Sequence, residues 1–324
     1  MTVEILDVDL IGFERGDAVR RRAVVDGVRR SLETGFVYLR HDLDEEELDA
    51  CYAALSEFFA LPDEAKARSA APGSRGQRGY TGLLVEVAHG RRTADWKEHL
   101  NWGETAPPDS DLGDRFPDQY LPPIFPEADV PGISARLLAF HRGVAELQRR
   151  FLRIVAEGLG APVDFFDAMT EHGVHLTRAV HYPAMEGAPA EEAAPGEPHV
   201  WAAEHGDINL VTALPRATAK GLQVKTGDRW LAVEPPPGHA VLNSGMMLER
   251  VSNGVLPTGL HRVVADPDQK GDRLAVVQFC HPTPDTVLAP MPSCVSAERP
   301  SQSEPITAAD WLAQVLKTIG LDES

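Results

Sequence analysis

The first pattern in this sequence that could do chemistry is a histidine and an aspartate separated by one residue, His205-Gly-Asp207. Side chains two residues apart leave the same face of a β-strand, so both could reach one metal ion without distorting the backbone. A second histidine, His261, follows 56 residues after His205 (261 − 205) and would come from a later strand. Two imidazoles and one carboxylate on one side of a metal leave its other side open, as in the facial triad of non-haem Fe(II) oxygenases. Zinc hydrolases can use similar ligands, and a surface histidine beside a solvated aspartate gives the same short pattern, so residue types alone do not identify the metal.

Arg273 is a candidate anion-binding residue. It lies 12 residues after His261 (273 − 261), and by strand alternation it shares a face with Ala275, Val277 and Phe279. A guanidinium group that points into a barrel can bind a carboxylate through two parallel hydrogen bonds. The alternative for an arginine in such a strand is a structural ion pair.

Short strands are the elements that would position these residues. From about residue 174 onward, β-rich segments alternate with turn residues, and Gly227-Asp228 is typical of a hairpin turn. Closely spaced strands without intervening helices predict a jelly roll and not a series of βαβ units. The predicted strands are 175–182, 208–213, 222–225, 230–233, 239–243, 261–264 and 274–279.

Helical patterns lie mainly before these strands. The strongest covers about 133–159, where apolar residues repeat at intervals of three and four and Gly160 supplies a stop. We expect this helix to back the sheet of the barrel. The other predicted elements are an edge strand at 3–10, a helix at 17–34, a strand at 36–39, a helix that starts at an Asp44 cap, and a C-terminal helix at 307–319. The fold class predicted is therefore mainly β with α additions, a double-stranded β-helix barrel framed by helices.

Composition excludes some partners. The chain has 324 residues, 31 lysines and arginines against 49 aspartates and glutamates, and a net charge of −18. This balance argues against non-specific binding to nucleic acid or to an anionic membrane. A small anionic co-substrate would then need a local positive pocket. The three cysteines show no metal-ligand spacing, and no signal-like N-terminus or long apolar run is evident, so we expect a cytoplasmic protein. We also expect a monomer or a weak homo-oligomer.

A series of short motifs resembles the isopenicillin N synthase-like branch of the Fe(II)/2-oxoglutarate dioxygenases. That family shows His-x-Asp, Gly-Leu-Gln-Val, Asn-x-Gly, Ser-Asn-Gly, His-Arg-Val and Arg-x-Ser in this order. The chain has, in the same order, His205-Gly-Asp207, Gly221-Leu-Gln-Val224, Asn243-Ser-Gly245, Ser252-Asn-Gly254, His261-Arg-Val263 and Arg273-Leu-Ala275. Family marks outside this stretch are Gly35-Phe-Val-Tyr38, Phe58-Phe-Ala-Leu-Pro62 followed by Lys66, Gly79-Tyr80, Asp95-Trp-Lys-Glu98 and Tyr182-Pro183. The resemblance covers nearly the whole chain.

The resemblance implies an enzyme that uses Fe(II), with 2-oxoglutarate and O₂ as co-substrates. His205, Asp207 and His261 would hold the iron, and Arg273 would hold the distal carboxylate of 2-oxoglutarate, with Tyr182 and position 275 close to it. The keto acid would lose CO₂ and leave succinate, while an unactivated C–H bond of a small molecule is hydroxylated, desaturated or used to close a ring. An amino acid, a peptide or a natural-product intermediate is the expected substrate. The implied division of the chain is an N-terminal region at 1–125 and a jelly-roll core with the C-terminal helix at 126–324, together one compact unit.

Two departures from the family pattern bear on function. Ala275 stands where the family has serine, so one hydroxyl donor to the co-substrate carboxylate is missing, and Met246 stands where an acidic residue is common. Ala275 keeps open an oxidase of the same fold that uses no 2-oxoglutarate. The residues are also compatible with a non-catalytic ligand-binding protein on the same barrel and with a zinc hydrolase.

Substrate contacts are expected from the barrel mouth. The candidates are Trp96, His99, Asn101, Arg178, Met246 and Phe279. A cationic group, His89, Arg91 and Arg92, could attract an acidic substrate. Residues 184–200, rich in Ala, Glu, Pro and Gly, directly precede the proposed iron strand and read as a solvated surface loop or as a lid.

Overall fold

The computed structural model describes residues 4–74, 76–85, 95–103, 105–185, 200–265 and 271–318. Fourteen strands lie in these ranges. They are β1 (Asp7–Asp9), β2 (Phe36–Arg40), β3 (Gly79–Thr81), β4 (Glu98–Trp102), β5 (Leu176–Tyr182), β6 (Val200–His205), β7 (Val211–Ala217), β8 (Leu222–Thr226), β9 (Arg229–Ala232), β10 (His239–Ser244), β11 (His261–Val264), β12 (Arg273–Cys280), β13 (Val287–Leu288) and β14 (Ile306–Thr307).

Nine α-helices lie in the same described ranges. They are α1 (Leu10–Arg15), α2 (Ala18–Ser31), α3 (Glu45–Phe59), α4 (Asp63–Ala67), α5 (Leu112–Arg115), α6 (Ile133–Gly158), α7 (Asp167–Thr170), α8 (Met246–Val251) and α9 (Ala308–Thr318). Single 3₁₀ turns occur at Leu32–Thr34 and Pro292–Cys294. None of the described helices is both long enough and apolar enough to cross a membrane.

Two sheets carry the centre of the molecule. The larger has the order β1-β2-β10-β7-β12-β5-β4-β3, and the smaller has the order β6-β11-β8-β9. Their inner faces pack together, with Val180 and Tyr182 of the larger sheet in one buried cluster with Trp201, Ala202 and Val263 of the smaller. This is the layered arrangement of a jelly roll. In the described residues these two sheets stay separate and do not close a barrel, and β13 pairs with β14 in a third, two-stranded sheet.

The long predicted helix is present as α6, which backs the larger sheet. Its predicted apolar stripe is buried: Phe140, Val144, Leu147, Phe151 and Val155 are at most 2% exposed. Full burial of such side chains contributes roughly 1.5–3 kcal/mol each. Polar contacts fix its position on the sheet.

Those polar contacts come from two side chains. Gln148 on α6 donates to the carbonyls of Val211 (3.1 Å) and Gln278 (2.7 Å) on the sheet, and Trp102 on β4 donates to the carbonyl of Leu137 on α6 (3.0 Å). Buried amide and indole groups need such partners, so they set the register between helix and sheet.

Three differences between the predicted and the observed elements are more than a shift of one residue at a strand end. The edge strand at 3–10 is limited to β1, because Leu10 starts α1 and is buried with Phe13. The strand predicted at 208–213 starts later, at Val211, and runs to Ala217. The iron strand ends at His205, so Asp207 lies in the turn after β6 and does not share a strand with His205. The chain bends at residues 208–210, and Asp207 Oδ1 nevertheless lies within 4.0 Å of both histidines.

Strands from both predicted regions, 1–125 and 126–324, pair within the larger sheet, where β2 pairs with β10 and β4 with β5. The division at residue 125 stays a prediction. The predicted cationic group at 89–92 and most of the predicted lid, residues 186–199, lie outside the described residues.

Candidate metal centre

Two neighbouring strands of the smaller sheet bring the two histidines together. β6 ends at His205 and β11 begins at His261, and the antiparallel register places these residues directly opposite one another. Their ring centroids are 4.3 Å apart. The two histidines are 56 residues apart in sequence, but strand pairing brings them into contact across neighbouring strands.

Asp207 completes a cluster of three potential metal ligands. Its Oδ1 lies 3.9 Å from His205 Nε2 and 4.0 Å from His261 Nε2, and the ligand atoms of all three residues lie within 4.8 Å of one another. This group of imidazoles and a carboxylate could hold one metal ion with its outer positions open. Two imidazole nitrogens and one carboxylate oxygen suit Fe(II).

Backbone carbonyls fix the tautomers of both histidines. His205 Nδ1 lies 2.7 Å from the carbonyl oxygen of Ala203, and His261 Nδ1 lies 3.0 Å from that of Gly259. Only a protonated nitrogen can donate to a carbonyl, so each Nδ1 carries the proton and each Nε2 presents a lone pair to the centre. Both rings are thus oriented for metal binding before any metal arrives.

The two oxygens of Asp207 have different surroundings. Oδ2 accepts hydrogen bonds from Thr212 Oγ1 (2.5 Å) and Asn243 Nδ2 (2.8 Å), whereas Oδ1 faces the histidines. The Asp207 carbonyl also accepts from the backbone N–H of Met246 (2.8 Å). These hydrogen bonds therefore fix the plane of the Asp207 carboxylate, and Oδ1 is directed at the two histidines.

The charge states favour metal binding at neutral pH. Desolvation of the ring among its neighbours lowers the pKa of His205 to about 4, and the nearby His261 adds to this effect. The side chain is 47% exposed, which weakens the desolvation, but both effects favour the neutral ring at neutral pH. Burial alone would raise the pKa of Asp207, but His261, His205 and the two hydrogen-bond donors hold it below its ordinary value. Neutral imidazole and ionised carboxylate are the forms that coordinate metals.

Two glycines near the ligands allow close backbone contacts at the site. A Cβ atom on Gly245 would lie 2.1 Å from the carbonyl oxygen of Asn209, which explains the glycine of Asn243-Ser-Gly245. A Cβ atom on Gly259, which accepts the His261 hydrogen bond, would lie 2.7 Å from the carbonyl oxygen of Gly35 and 2.7 Å from the Phe36 ring. Any side chain at these positions would displace the segments that carry the histidine and the aspartate.

A cavity of about 110 Å³ opens between the two sheets in front of this cluster. Arg273, Tyr182 and Ala275 line it together with the metal cluster. Arg273 is 2% exposed, its Nε donates to the carbonyl of Ala219 (3.2 Å), and its Cζ lies 5.2 Å from the centre of the Tyr182 ring. Burial lowers the pKa of Arg273, but arginine stays charged at neutral pH, so a deeply buried cation faces the cavity.

The predicted substrate residues fall into two groups. Arg178 and Phe279 line the cavity, with Arg178 Cζ 5.8 Å from the Phe279 ring centre. The other four are not among the described lining residues. Trp96 donates to the carbonyl of Ala184 (3.4 Å), His99 is buried in β4, Asn101 accepts from Arg178 Nε (3.1 Å), and Met246 starts α8.

Sequence reasoning missed two residues at the site. Thr212, which holds Asp207, was not a candidate, and Lys97, which lines the cavity, belongs to a family motif but had no predicted role. Alternation could have found Lys97, because it is two residues before His99 and four before Asn101, both of which were candidates. No short pattern marks Thr212, which lies on β7 and reaches Asp207 across the loop between the two strands.

A two-sheet jelly roll with a His-Asp-His cluster beside a buried arginine is the arrangement of the non-haem iron oxygenases. Two family models match the chain: the N-terminal region described as non-haem dioxygenase in morphine synthesis, at residues 5–127, and the 2OG-Fe(II) oxygenase superfamily, at residues 174–282. Together the two matched regions contain the described residues that line the cavity and the three residues of the cluster.

Individual proteins agree with this class. A solved structure from Caulobacter crescentus, described as a 2OG-Fe(II) oxygenase family protein, is 33% identical, with a TM-score of 0.84 and coverage of 98% of this chain and 100% of that one. A full-length Neurospora crassa protein, solved with alpha-KG and 5-formyluracil, is 25% identical, with a TM-score of 0.81 and coverage of 97% and 96%. Kihadalactone A synthase of Citrus sinensis is 29% identical over 99% of this chain and 94% of its own.

The chain belongs to the isopenicillin N synthase-like family of 2OG-Fe(II) oxygenases. It is an oxidoreductase that uses Fe(II) with 2-oxoglutarate and O₂. The predictions of family, fold class, enzyme class and co-substrates are confirmed. The role of each individual residue at the site stays a prediction.

Proposed function

We propose that this enzyme oxidises an unactivated C–H bond of a small molecule, with His205, Asp207 and His261 as its iron ligands and Arg273 as the anchor for 2-oxoglutarate. The observation that carries the proposal is the convergence of three ligand atoms within 4.8 Å at the floor of a cavity that a buried arginine also lines. When bound, iron with 2-oxoglutarate and O₂ supplies the oxidising power, and the products expected from the keto acid are succinate and CO₂.

The chain's own residues do the positioning. The two imidazoles and the carboxylate occupy one side of the metal, so the side toward the cavity is left for exogenous ligands. Arg273 donates from its Nε to the carbonyl of Ala219 and lines the cavity, where a guanidinium group can bind a carboxylate bidentately. Burial of Arg273 strengthens that attraction, because little water competes for the charge.

The pocket walls keep water and side reactions away from the metal. Val180, Val241, Val263 and Val277 contribute apolar surface to the cavity, and Tyr182 stacks on Trp201 with ring centroids 5.0 Å apart. In a site of this kind the protein supplies binding, orientation and exclusion of water, while the cofactor supplies the difficult chemistry. The proposed substrate would lie against this wall, with Arg178 and Phe279 among its contacts.

A second candidate has one observation in its favour. Ala275 lines the cavity two residues after Arg273, on the same face of β12, and offers no hydroxyl to the co-substrate. An oxidase that takes all its electrons from the substrate would need no such donor. Arg273 itself favours the 2-oxoglutarate enzyme, because a buried cation without an anionic ligand costs free energy.

Iron binding tests the ligand assignment. The Asp207→Ala variant, loaded with Fe(II) under anaerobic conditions and freed of excess metal, should retain little iron, whereas the wild type should retain one equivalent. Asp228→Ala removes a carboxylate from an exposed hairpin turn and serves as the control that keeps full iron content. Equal iron retention in the Asp207→Ala variant and the wild type would refute the assignment.

A further inference from the structure

The pairing of β7 with β12 is interrupted by a bulge in the wall of the cavity. One residue of β12, Val277, lies opposite two residues of β7, Leu214 and Pro215. Proline has no N–H to donate, and inside sheets it occurs at edges and bulges, so Pro215 accounts for the interruption. Leu214 and Val277 both line the cavity. Bulges are common next to active sites, where they change the direction of side chains.

The bulge changes the face on which β7 presents its side chains. Thr212 and Leu214 line the cavity, and strict alternation would place Arg216 there as well. The extra residue instead turns Arg216 to the side of α3, where it forms ion pairs with Glu45 and Asp49. The bulge therefore keeps this arginine out of the cavity.

A buried tyrosine on α3 fills the gap that follows the bulge. Val276 and Arg216 lie directly opposite one another, yet the N–H of Val276 donates to the hydroxyl of Tyr52 (3.1 Å). That hydroxyl in turn donates to the carbonyl of Arg216. Tyr52 is 6% exposed, and the Cζ of Arg216 lies 5.7 Å from the centre of its ring. One hydroxyl group thus stands between the backbone groups of a single residue pair.

The segment of β7 beyond the bulge contacts Arg273 directly. The carbonyl of Ala219 accepts from Arg273 Nε (3.2 Å). Leu274, the next residue of β12, donates its N–H to Thr218 Oγ1 (2.8 Å) and accepts from the Thr218 N–H (2.9 Å). Desolvation raises the pKa of Tyr52, and the Arg273 charge opposes that rise, so the two side chains also interact electrostatically. A shift of residues 217–219 would move the contact that holds the guanidinium group.

We propose that Tyr52 is a positioning residue for 2-oxoglutarate, because its hydroxyl maintains the bulge between β7 and β12 and thereby holds Arg273 in place. This inference rests on the proposed function, in which Arg273 anchors the co-substrate. Without the hydroxyl, the backbone groups of Val276 and Arg216 lose their shared partner. Buried backbone groups require hydrogen bonds, so we expect the two strands to close on one another and residues 217–219 to shift.

Tyr52→Phe removes the hydroxyl and keeps the ring. When the Fe(II)-loaded variant is titrated anaerobically with 2-oxoglutarate, the visible charge-transfer band should report about tenfold weaker binding, which corresponds to ~1.4 kcal/mol. Fe(II) affinity should equal that of the wild type, because the proposed ligands lie on β6, on β11 and in the loop between β6 and β7.

Tyr120→Phe is the matched control. Tyr120 is also buried and donates to a backbone carbonyl, that of His172 (2.6 Å), but it is not among the described residues that line the cavity. This variant should lose a comparable amount of stability and keep the 2-oxoglutarate affinity of the wild type.

A double variant tests whether Tyr52 acts through Arg273. Arg273→Lys keeps a positive charge but lacks the Nε that contacts Ala219, so on its own it should weaken 2-oxoglutarate binding. Addition of Tyr52→Phe to Arg273→Lys should then weaken binding by much less than tenfold, whereas independent effects would multiply. Full multiplication of the two effects would overturn the proposal.

Unchanged 2-oxoglutarate affinity in Tyr52→Phe would also overturn it, and so would an equal loss in Tyr120→Phe. If Tyr52→Phe does not fold, the exposed Thr218 provides the test, because Thr218→Val removes the hydroxyl that accepts from Leu274. Weaker 2-oxoglutarate binding is expected in Thr218→Val, and unchanged binding would refute the positioning route.

Arg273→Lys separates the failure of this inference from the failure of the proposed function. Wild-type 2-oxoglutarate affinity in Arg273→Lys would refute the anchor itself. Weaker binding in Arg273→Lys, together with unchanged binding in Tyr52→Phe, would refute the role of Tyr52 alone.

Discussion

At the scale of single residues, the carboxylate of Asp207 shows how the protein prepares one atom for a metal. Thr212 and Asn243 both bind Oδ2, so only Oδ1 is directed at the two histidines. Hydrogen bonds of this kind fix the orientation of a ligating group and commonly contribute tenfold to hundredfold to metal affinity. The threonine is therefore as informative about the site as the three ligands themselves.

Thr212→Val tests this role directly. The variant keeps the shape of the side chain but removes the hydroxyl that holds Asp207, so Fe(II) affinity should fall about tenfold to hundredfold in an anaerobic titration. Thr226→Val is a matched control, because the Thr226 hydroxyl is buried without a hydrogen-bond partner among the described residues. Equal Fe(II) affinity in Thr212→Val and Thr226→Val would show that the hydrogen bond does not position the ligand.

Ala275→Ser restores the hydroxyl of the family's Arg-x-Ser pattern. The side chain at 275 is 3% exposed and faces the cavity beside Arg273, so a serine there can donate to the same carboxylate. One neutral hydrogen bond contributes roughly 0.5–1.5 kcal/mol, so 2-oxoglutarate should bind up to about tenfold more tightly. Calorimetric titration of the Fe(II)-loaded variant measures this, with Ala232→Ser on the exposed strand β9 as control. Unchanged affinity would mean that position 275 does not contact the co-substrate.

At the scale of elements, β11 is positioned by an unusually close contact with the start of β2. Gly259 lies against Gly35 and Phe36, and the Phe36 ring meets the His261 ring edge-on with centroids 5.8 Å apart. Gly259 also accepts the hydrogen bond from His261 Nδ1. The contact that positions β11 against β2 therefore also orients the His261 ring.

Gly259→Ala should therefore damage both stability and iron binding. The added Cβ would be 2.7 Å from the carbonyl oxygen of Gly35, and overpacking of this kind costs about 1–3 kcal/mol in the free energy of unfolding. Gly143→Ala in α6 is the matched control. Its Cβ would contact Leu43 at an ordinary 3.6 Å, and replacement of a helical glycine stabilises by about 0.5–1 kcal/mol. Denaturant unfolding should show lower stability, and Fe(II) titration weaker binding, for Gly259→Ala than for Gly143→Ala. Equal effects of the two substitutions would contradict the role assigned to the Gly259 contact.

A buried charged network joins the strands on the opposite side of the sheet from the cavity. Glu98 on β4 accepts from Lys66 Nζ (2.7 Å), contacts His181 Nδ1 (2.7 Å) and accepts from the Tyr80 hydroxyl (2.5 Å). His181 Nε2 in turn contacts Asp272 (2.8 Å). The network connects α4, β3, β4 and β5 with the start of β12, directly beside Arg273.

This network predicts a pH dependence of stability. Burial alone would lower the pKa of His181, but its contacts with Glu98 and Asp272 raise it above its ordinary value, so protonated His181 favours the folded state. That contribution is complete below the unfolded pKa of about 6.5 and is lost as pH rises through the folded pKa. His181→Gln should therefore cost more unfolding free energy at pH 6 than at pH 9.

The control for this comparison is His141→Gln. Burial lowers the pKa of His141 to about 3, so its ring is neutral throughout this pH range and the cost of its replacement should be the same at both values. A His181→Gln effect that does not change between pH 6 and pH 9 would contradict a protonated His181.

At the scale of the whole molecule, the sequence predicted those features that local patterns encode. The apolar repeat of α6 places its stripe on one face, and the β-rich segment at 261–264 matches β11 to the residue. Motif order pointed to the three proposed metal ligands and to Arg273, and all four line one cavity. These features depend on periodicity and on short motifs, both of which are visible in a linear chain.

Features that depend on tertiary packing could not be predicted in this way. Asp207 was expected on the strand with His205, yet β6 ends at His205. The carboxylate is instead held by Thr212 on β7 and Asn243 on β10, two strands of the larger sheet. The pairing of β6 with β11 that joins the histidines is likewise a property of the folded sheet.

The anaerobic absorption spectrum of the protein with Fe(II) and 2-oxoglutarate, followed by exposure to air, tests the central claim most directly. We predict a visible charge-transfer band for the wild type, and in air about one succinate for each 2-oxoglutarate consumed. Arg273→Leu should retain Fe(II) but need far more 2-oxoglutarate to form the band, because it loses a charge-assisted bidentate contact. A wild-type protein that binds Fe(II) but gives neither the band nor succinate would contradict the account.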